Sequence, residues 1–225
     1  MIKSLLILFL MCGYGVLAQQ VIEPIKSVTT TKKIIALTFD DGPIPGITEQ
    51  FLDFFKKENI KGTFFNIGKN IKAHPELAKV VLEQGHEIGN HSCTHPKLPE
   101  YDDSTKIFSE INGFQELVKR EFNYTPKLFR APYLQYDKRV TNILSALKLK
   151  LVSAKVFCKD AKPNIDPQVI IKNVLNNISP GAIVLGHERA HTIEALKTII
   201  PELKKRGYKF VTVSELLTIK SNETK

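Results

Sequence analysis

From Lys33 onward, short runs of β-branched and aromatic residues alternate with stretches of helical period, with no Gly/Ser-rich linker, repeat or low-complexity tract between them. Strands joined through helices lie parallel, because such a crossover returns the chain in the same direction. The chain therefore reads as one α/β domain, either a barrel or a doubly wound sheet. Residues 34–39, 62–66, 86–89, 128–129, 150–156, 182–185 and 208–211 read as strands. Helices are expected around Phe51 to Phe55, over 76–84 after Pro75, over 104–122, 138–147 and 169–178, over 192–205 before Gly207, and from Ser214. The clearest is 104–122, where Ile107, Phe108, Ile111, Phe114, Leu117 and Val118 recur at helical spacing. Asp166-Pro167 supplies an N-cap and a first-turn proline. In both architectures ligands bind beyond the carboxyl ends of the strands.

With 225 residues, 43% apolar and 24% charged, the chain can bury a full core without staples and is neither disordered nor fibrous. Lys3 precedes an apolar run over 5–11, and Val16 and Ala18 stand at cleavage-site spacing, so residues 1–18 read as a secretory signal peptide. Residues 19–32 then form an N-terminal extension, 33–219 the domain and 220–225 a polar tail. The expected location is secreted, extracellular or at the cell wall, without stable membrane insertion, as a monomer. Removing residues 1–18 leaves 31 basic against 23 acidic residues, a net charge of +8 that favours anionic neighbours such as cell-wall polymers. The basic residues are scattered, as in Lys56-Lys57-Glu58, and carry no nucleic-acid motif, so nucleic acid is not expected as a partner. Cys93 and Cys158 leave one disulfide open, and the sequons at Asn123, Asn177 and Asn222 matter only in a eukaryotic secretory pathway.

Three polar groups follow strands at the expected ligand-binding end: Asp40-Asp41, the pair His91 and His95, and His187. Adjacent carboxylates repel and leave water only at a cost, which points to a nearby cation. Histidines four apart face one side of a helical turn and can share a metal. Two imidazoles and one carboxylate leave a coordination position open, the pattern of a catalytic rather than a structural site. Cys93 lies between the histidines but faces elsewhere. His86, entering a buried strand, is expected to bond neighbouring backbone.

The segments Thr38-Phe39-Asp40-Asp41-Gly42, His91-Ser92-Cys93-Thr94-His95, Arg130-Ala131-Pro132-Tyr133 and Leu185-Gly186-His187 stand in the order and spacing of the polysaccharide deacetylase family, which the chain resembles from about Lys32 to Leu217. The resemblance implies a distorted (β/α) barrel of about seven parallel strands with outer helices. It also implies metal-dependent hydrolysis of N-acetyl groups on a polysaccharide. It implies that Asp41, His91 and His95 hold a divalent metal, zinc first and cobalt as an alternative. Asp40 would then be the general base and Arg130 its orienting partner. The Tyr133 N–H, in the turn shaped by Pro132, would stabilise the oxyanion, and His187 would be the acid.

Family members also carry two aspartates three apart followed by tryptophan. Here Phe157 stands at the first aspartate, Ala161 at the tryptophan, and only Asp160 is kept, where it could tune His187. The expected activity is deacetylation of N-acetylglucosamine units, with chitin or chitooligosaccharide slightly ahead of peptidoglycan. The alternative is a catalytically impaired relative that binds metal or sugar without turnover.

Overall fold

A computed structural model describes residues 22–223. The signal peptide expected over 1–18 lies outside the described residues. Strand β1 (Ile34–Asp40) is buried along nearly all its length. Ile35, Leu37 and Phe39 alternate with Ala36, Thr38 and Asp40, so one face of the strand is wholly apolar and the other turns polar toward its carboxyl end. Phe39 packs edge-on against Phe51 of α1 (Thr48–Glu58), ring centroids 4.8 Å apart, and α1 also seats Phe55 against Phe64. Each fully buried phenylalanine contributes about 2–3 kcal/mol of transfer free energy.

The chain continues through β2 (Thr63–Asn66), α2 (Gly68–Ala73), α3 (Pro75–Glu83), β3 (Glu87–Asn90) and α4 (Ser104–Phe122). Then come β4 (Leu128–Phe129), α5 (Lys138–Ala146), β5 (Lys150–Leu151), β6 (Val156–Phe157) and α6 (Pro167–Asn177). It ends with β7 (Ile183–His187), α7 (Ala190–Lys205), β8 (Lys209–Val211) and α8 (Val213–Glu223). The strands run β5-β4-β3-β2-β1-β7-β6, with β8 paired to β1, and every ladder is parallel. This is the curled, barrel-like sheet with outer helices expected from the motifs. Inside the curl, Ala36, Phe65, Leu128, Ile183 and Leu185 form one cluster with Val213 and Leu216 of α8. No helix of the described residues is long and apolar enough to cross a membrane.

Two expectations are corrected. Residues 150–156 are not one strand: β5 pairs with β4 while β6 pairs with β7, on the opposite flank of the sheet. The connecting residues satisfy their backbone elsewhere, since the carbonyls of Val152 and Ser153 accept from Arg130 and the Ser153 N–H donates to Ile25. The segment 91–95 is not a helical turn but a loop in which Ser92 and His95 have left-handed φ values of 64° and 65°. Residues 25–28 bond both to Leu151 and Ser153 and to Gly181 and Ile183, strapping the two flanks of the sheet together. Gly181, at φ 74°, admits this strap: a Cβ there would lie 2.0 Å from the Val28 carbonyl oxygen.

His86 bonds backbone as expected, its Nδ1 accepting from the Gly62 N–H at 3.2 Å while Phe55 and Phe64 pack against the ring. Burial, with Lys61 nearby, pushes its pKa down from 6.5 to about 4. Between pH 6.5 and 4 the unfolded chain therefore takes up a proton that the folded chain refuses, and stability falls with pH. His86→Asn, which keeps an acceptor near Nδ1, should remove about 2–3 kcal/mol of that acid-side loss. Urea midpoints of the two proteins at pH 7 and pH 4.5 check this, and parallel pH dependence would refute it.

Candidate active site

Asp40 and Asp41 both face Nε2 of His91 although they are consecutive at the tip of β1, where Asp41 leaves the strand at a left-handed φ of 74°, which aspartate tolerates. The turn is pinned by Asn70, whose side chain donates to the Asp41 carbonyl at 2.8 Å, and by the Ile67 N–H on the Gly42 carbonyl. Gly42 is required by close approach, since a Cβ there would stand 1.5 Å from Oε1 of buried Glu188.

Asp40 Oδ1 accepts from Nη1 of Arg130 at 2.7 Å, and its Oδ2 faces Nε2 of His91 at 3.9 Å. Arg130 is fully buried; it also donates to Thr38 Oγ1 and to the Ser153 carbonyl, and it stacks on Phe65 with 4.1 Å from guanidinium carbon to ring centroid. A buried cation with all three nitrogens engaged is a rigid seat for the carboxylate.

Asp41 Oδ1 is buried with no hydrogen-bond partner, and lies 3.7 Å from His91 Nε2 and 3.4 Å from His95 Nε2. The ligand atoms of the three residues fall within 4.8 Å of one another. The edge of a tetrahedron with zinc–ligand bonds of 2.1 Å is about 3.4 Å, so the spacing fits one ion. His91 Nδ1 bonds the Arg130 carbonyl at 2.7 Å, which makes it the protonated nitrogen and leaves Nε2 bare toward the cluster. Burial and the neighbouring His91 lower the pKa of His95 against the opposing pull of Asp41 and Asp40, keeping it in the neutral form that ligates. Burial raises the Asp41 carboxyl, but His91, His187, Arg189 and His95 outweigh it and hold it below its ordinary value.

The loop from His91 to His95 gets its shape from side chains: Asn90 Oδ1 accepts from the Ser92 N–H, Ser92 Oγ from the His95 N–H, and Glu110 of α4 from Thr94. Cys93 turns toward the Ser109 carbonyl on α4, and burial with Glu110 raises its thiol to about 11, the wrong state for a ligand. Cys93 and Cys158 are both free.

At the tip of β7, His187 Nδ1 meets Asp160 Oδ1 at 2.8 Å while Asp160 Oδ2 accepts from the His187 N–H and from Thr192 Oγ1. Burial is the largest single influence and opposes charge on both groups, but the hydrogen bond between them together with the surrounding charges and donors outweighs it: Asp160 is held below its usual range, and His187, which also feels Asp40 and Asp41, is raised above 6.5. Tyr133, at φ 57° in the turn after buried Pro132, lays its ring 4.7 Å from that of His95. Asp40, Asp41, His91, His95, Tyr133, Asp160 and His187 border a cavity of about 670 Å³ whose wall includes Phe157, Lys159, Ala161 and Leu185. Phe157 and Ala161 thus occupy the cavity wall, with Asp160 between them.

Sequence reasoning missed Arg189, whose Nη2 lies 2.7 Å from Asp41 Oδ2, and Glu188, a fully buried carboxyl that accepts from Thr48 and is pushed up to about 8 by burial. His191, which by sequence is an ordinary helix-start residue matching no ligand position, stands in the first turn of α7, and its Nε2 bonds the Asp160 carbonyl at 2.9 Å. The one available signal was the adjacency of Glu188 and Arg189 to His187.

A carboxylate seated by a buried arginine beside a carboxylate–diimidazole cluster, at the carboxyl end of a curled parallel sheet, is a set of groups able to hold one metal ion next to a proton acceptor. The family profile of polysaccharide deacetylases matches residues 27–152, and the chain belongs to that family, which is metal-dependent. It is 38% identical over 218 residues to a peptidoglycan-N-acetylglucosamine deacetylase of Bacillus cereus, covering 91% of this chain and 99% of the relative. It is 37% identical to the Listeria monocytogenes peptidoglycan-N-acetylglucosamine deacetylase PgdA over 83% of this chain, but spans only 39% of that protein's length. A chitooligosaccharide deacetylase of Azorhizobium caulinodans is 30% identical over 80% of this chain and 93% of its own. Among solved structures, the Bc1960 peptidoglycan N-acetylglucosamine deacetylase superposes with a TM-score of 0.81 at 33% identity, covering 85% of this chain and 91% of its own. BA3943 of Bacillus anthracis, described as a pseudoenzyme, gives 0.82 at 30% identity, covering 88% and 70%.

Proposed function

We propose that this protein is an exported, metal-dependent hydrolase that removes acetyl groups from N-acetylglucosamine units of a cell-wall polysaccharide. The observation that carries the reading is the buried, unpartnered Asp41 Oδ1 facing Nε2 of both His91 and His95, with Asp40 Oδ2 alongside. Asp41, His91 and His95 would hold the ion, zinc by donor set with cobalt as a substitute. When bound, it would supply Lewis acidity toward the acetyl carbonyl and make a water more acidic.

The rest is the work of the chain. Asp40, seated by Arg130, accepts the proton of the attacking water through Oδ2. The main-chain N–H of Tyr133, set by Pro132, donates to the oxygen that gains charge. His187, kept protonated by Asp160, gives its proton to the departing nitrogen, and acetate and a free amine result.

Peptidoglycan takes precedence over chitin oligomers here. The relatives favour it, and the net charge of +8 that remains without residues 1–18 suits an anionic wall polymer. Phe157 and Ala161 in the cavity wall support a second reading, an impaired relative that binds without turnover. Acetate release from peptidoglycan, chitin oligomers and acetylxylan, each with zinc, with cobalt or with chelator, separates the two. The proposal expects metal-dependent release, fastest on peptidoglycan. Bound zinc with no acetate above the chelated control would reject turnover.

A further inference from the structure

We propose that Arg189 is a positioning residue of the metal site, clamping Asp41 so that it ligates through one oxygen only; the inference rests on the metal-site reading above. The carboxylate of Asp41 is divided between two tasks. Oδ1 is buried, unpartnered and turned toward His91 and His95, whereas Oδ2 is bonded by Nη2 of Arg189 at 2.7 Å. An oxygen engaged in a charge-assisted bond does not swing round to join the ion, and the position it would fill stays open for water or the acetyl oxygen.

The arginine is itself held on both sides. Its Nη1 donates to the Glu188 carbonyl at 3.0 Å, its own carbonyl accepts from Thr192 and Ile193 at the start of α7, and the Glu188 N–H bonds the Asp40 carbonyl. The clamp is therefore tied back to the strand that carries its target. His91 is oriented in the same manner by the Arg130 carbonyl, so two of the three ligands are aimed by a neighbour. The side chains of Arg189 and Asp41 are 30% and 20% exposed, and an ion pair in that setting does little for folding. What its loss should change is the ion's affinity.

The test uses the metal-free wild type and Arg189→Ala, Arg189→Gln and Arg189→Lys, with zinc affinity read by competition against a chromophoric chelator. The expected result is about 10–100-fold weaker zinc binding for Ala and Gln, partial recovery with Lys, and unchanged urea midpoints of the metal-free proteins. Wild-type zinc affinity in Arg189→Ala, or Lys no better than Gln, would overturn the clamp. Should Arg189→Ala fail to fold, Gln and Lys carry the same comparison. A wild-type protein that binds no zinc is a different failure, one that removes the metal-site reading and this inference together.

Discussion

Asp40→Asn is expected to lower acetate release by about 10²–10⁴-fold while zinc content stays at the wild-type level, because the substitution removes the proton acceptor and none of the three ligands. The same variant exposes a second consequence of the site's construction. Arg130 is fully buried and Asp40 is the carboxylate that faces it at 2.7 Å. Neutralising one partner of a buried pair leaves an uncompensated charge, so a loss of about 3–5 kcal/mol is expected, toward the lower end because asparagine still offers an acceptor. Acetate assays, metal analysis and urea denaturation on one preparation read all three quantities. Full turnover in Asp40→Asn would remove it from the chemistry, and loss of zinc would mean that it ligates.

The second large effect concerns the proton given to nitrogen. His187→Ala should slow cleavage of the N-acetyl amide by about 10²–10³-fold but slow an O-acetyl ester far less, because an alkoxide leaves without the full protonation that an amine requires. Rates on N-acetylglucosamine oligomers and on acetylxylan measure the split, and equal slowing of both substrates would contradict proton donation by His187. The sign of the pH dependence follows from the hydrogen bond to Asp160. A histidine whose pKa is raised above 6.5 stays protonated through that value, so the acid is fully present on its low side and activity falls as pH rises through the shifted pKa. An alkaline limb below pH 6.5 would mean that another group sets it.

Much of this arrangement was legible before any coordinates. Buried runs alternating with helical periods dictated parallel strands, and chemistry-bearing residues at their ends placed the site. Asp40, Asp41, His91, His95 and His187 were named from residue type and position at strand ends, and Arg130 only through the family resemblance; the structure brings the first five to one cavity and buries Arg130 behind Asp40. The stretch 150–156 failed because a run of apolar and β-branched residues has the same appearance whether it crosses one ladder or is broken between two; only the bonds of Ser153 to Arg130 and Ile25 reveal the break. The segment 91–95 failed for a related reason. A spacing of four suggests a helical turn, but Ser92, Asn90 and Glu110 bond the backbone into a loop that brings the imidazoles together by another route.

The sequence by itself determined an α/β domain with parallel strands through its periodicity, and the barrel and the identity of the reacting groups through four motifs that stand in the order of a known family. The tertiary structure alone decided which oxygen of each aspartate is occupied and which is free. That division is made by Arg130 and Arg189, which lie 90 and 148 residues from the carboxylates they hold. Hydrogen-bond direction at such separation depends on how the strand tips close on one another, and no local pattern of residues encodes it.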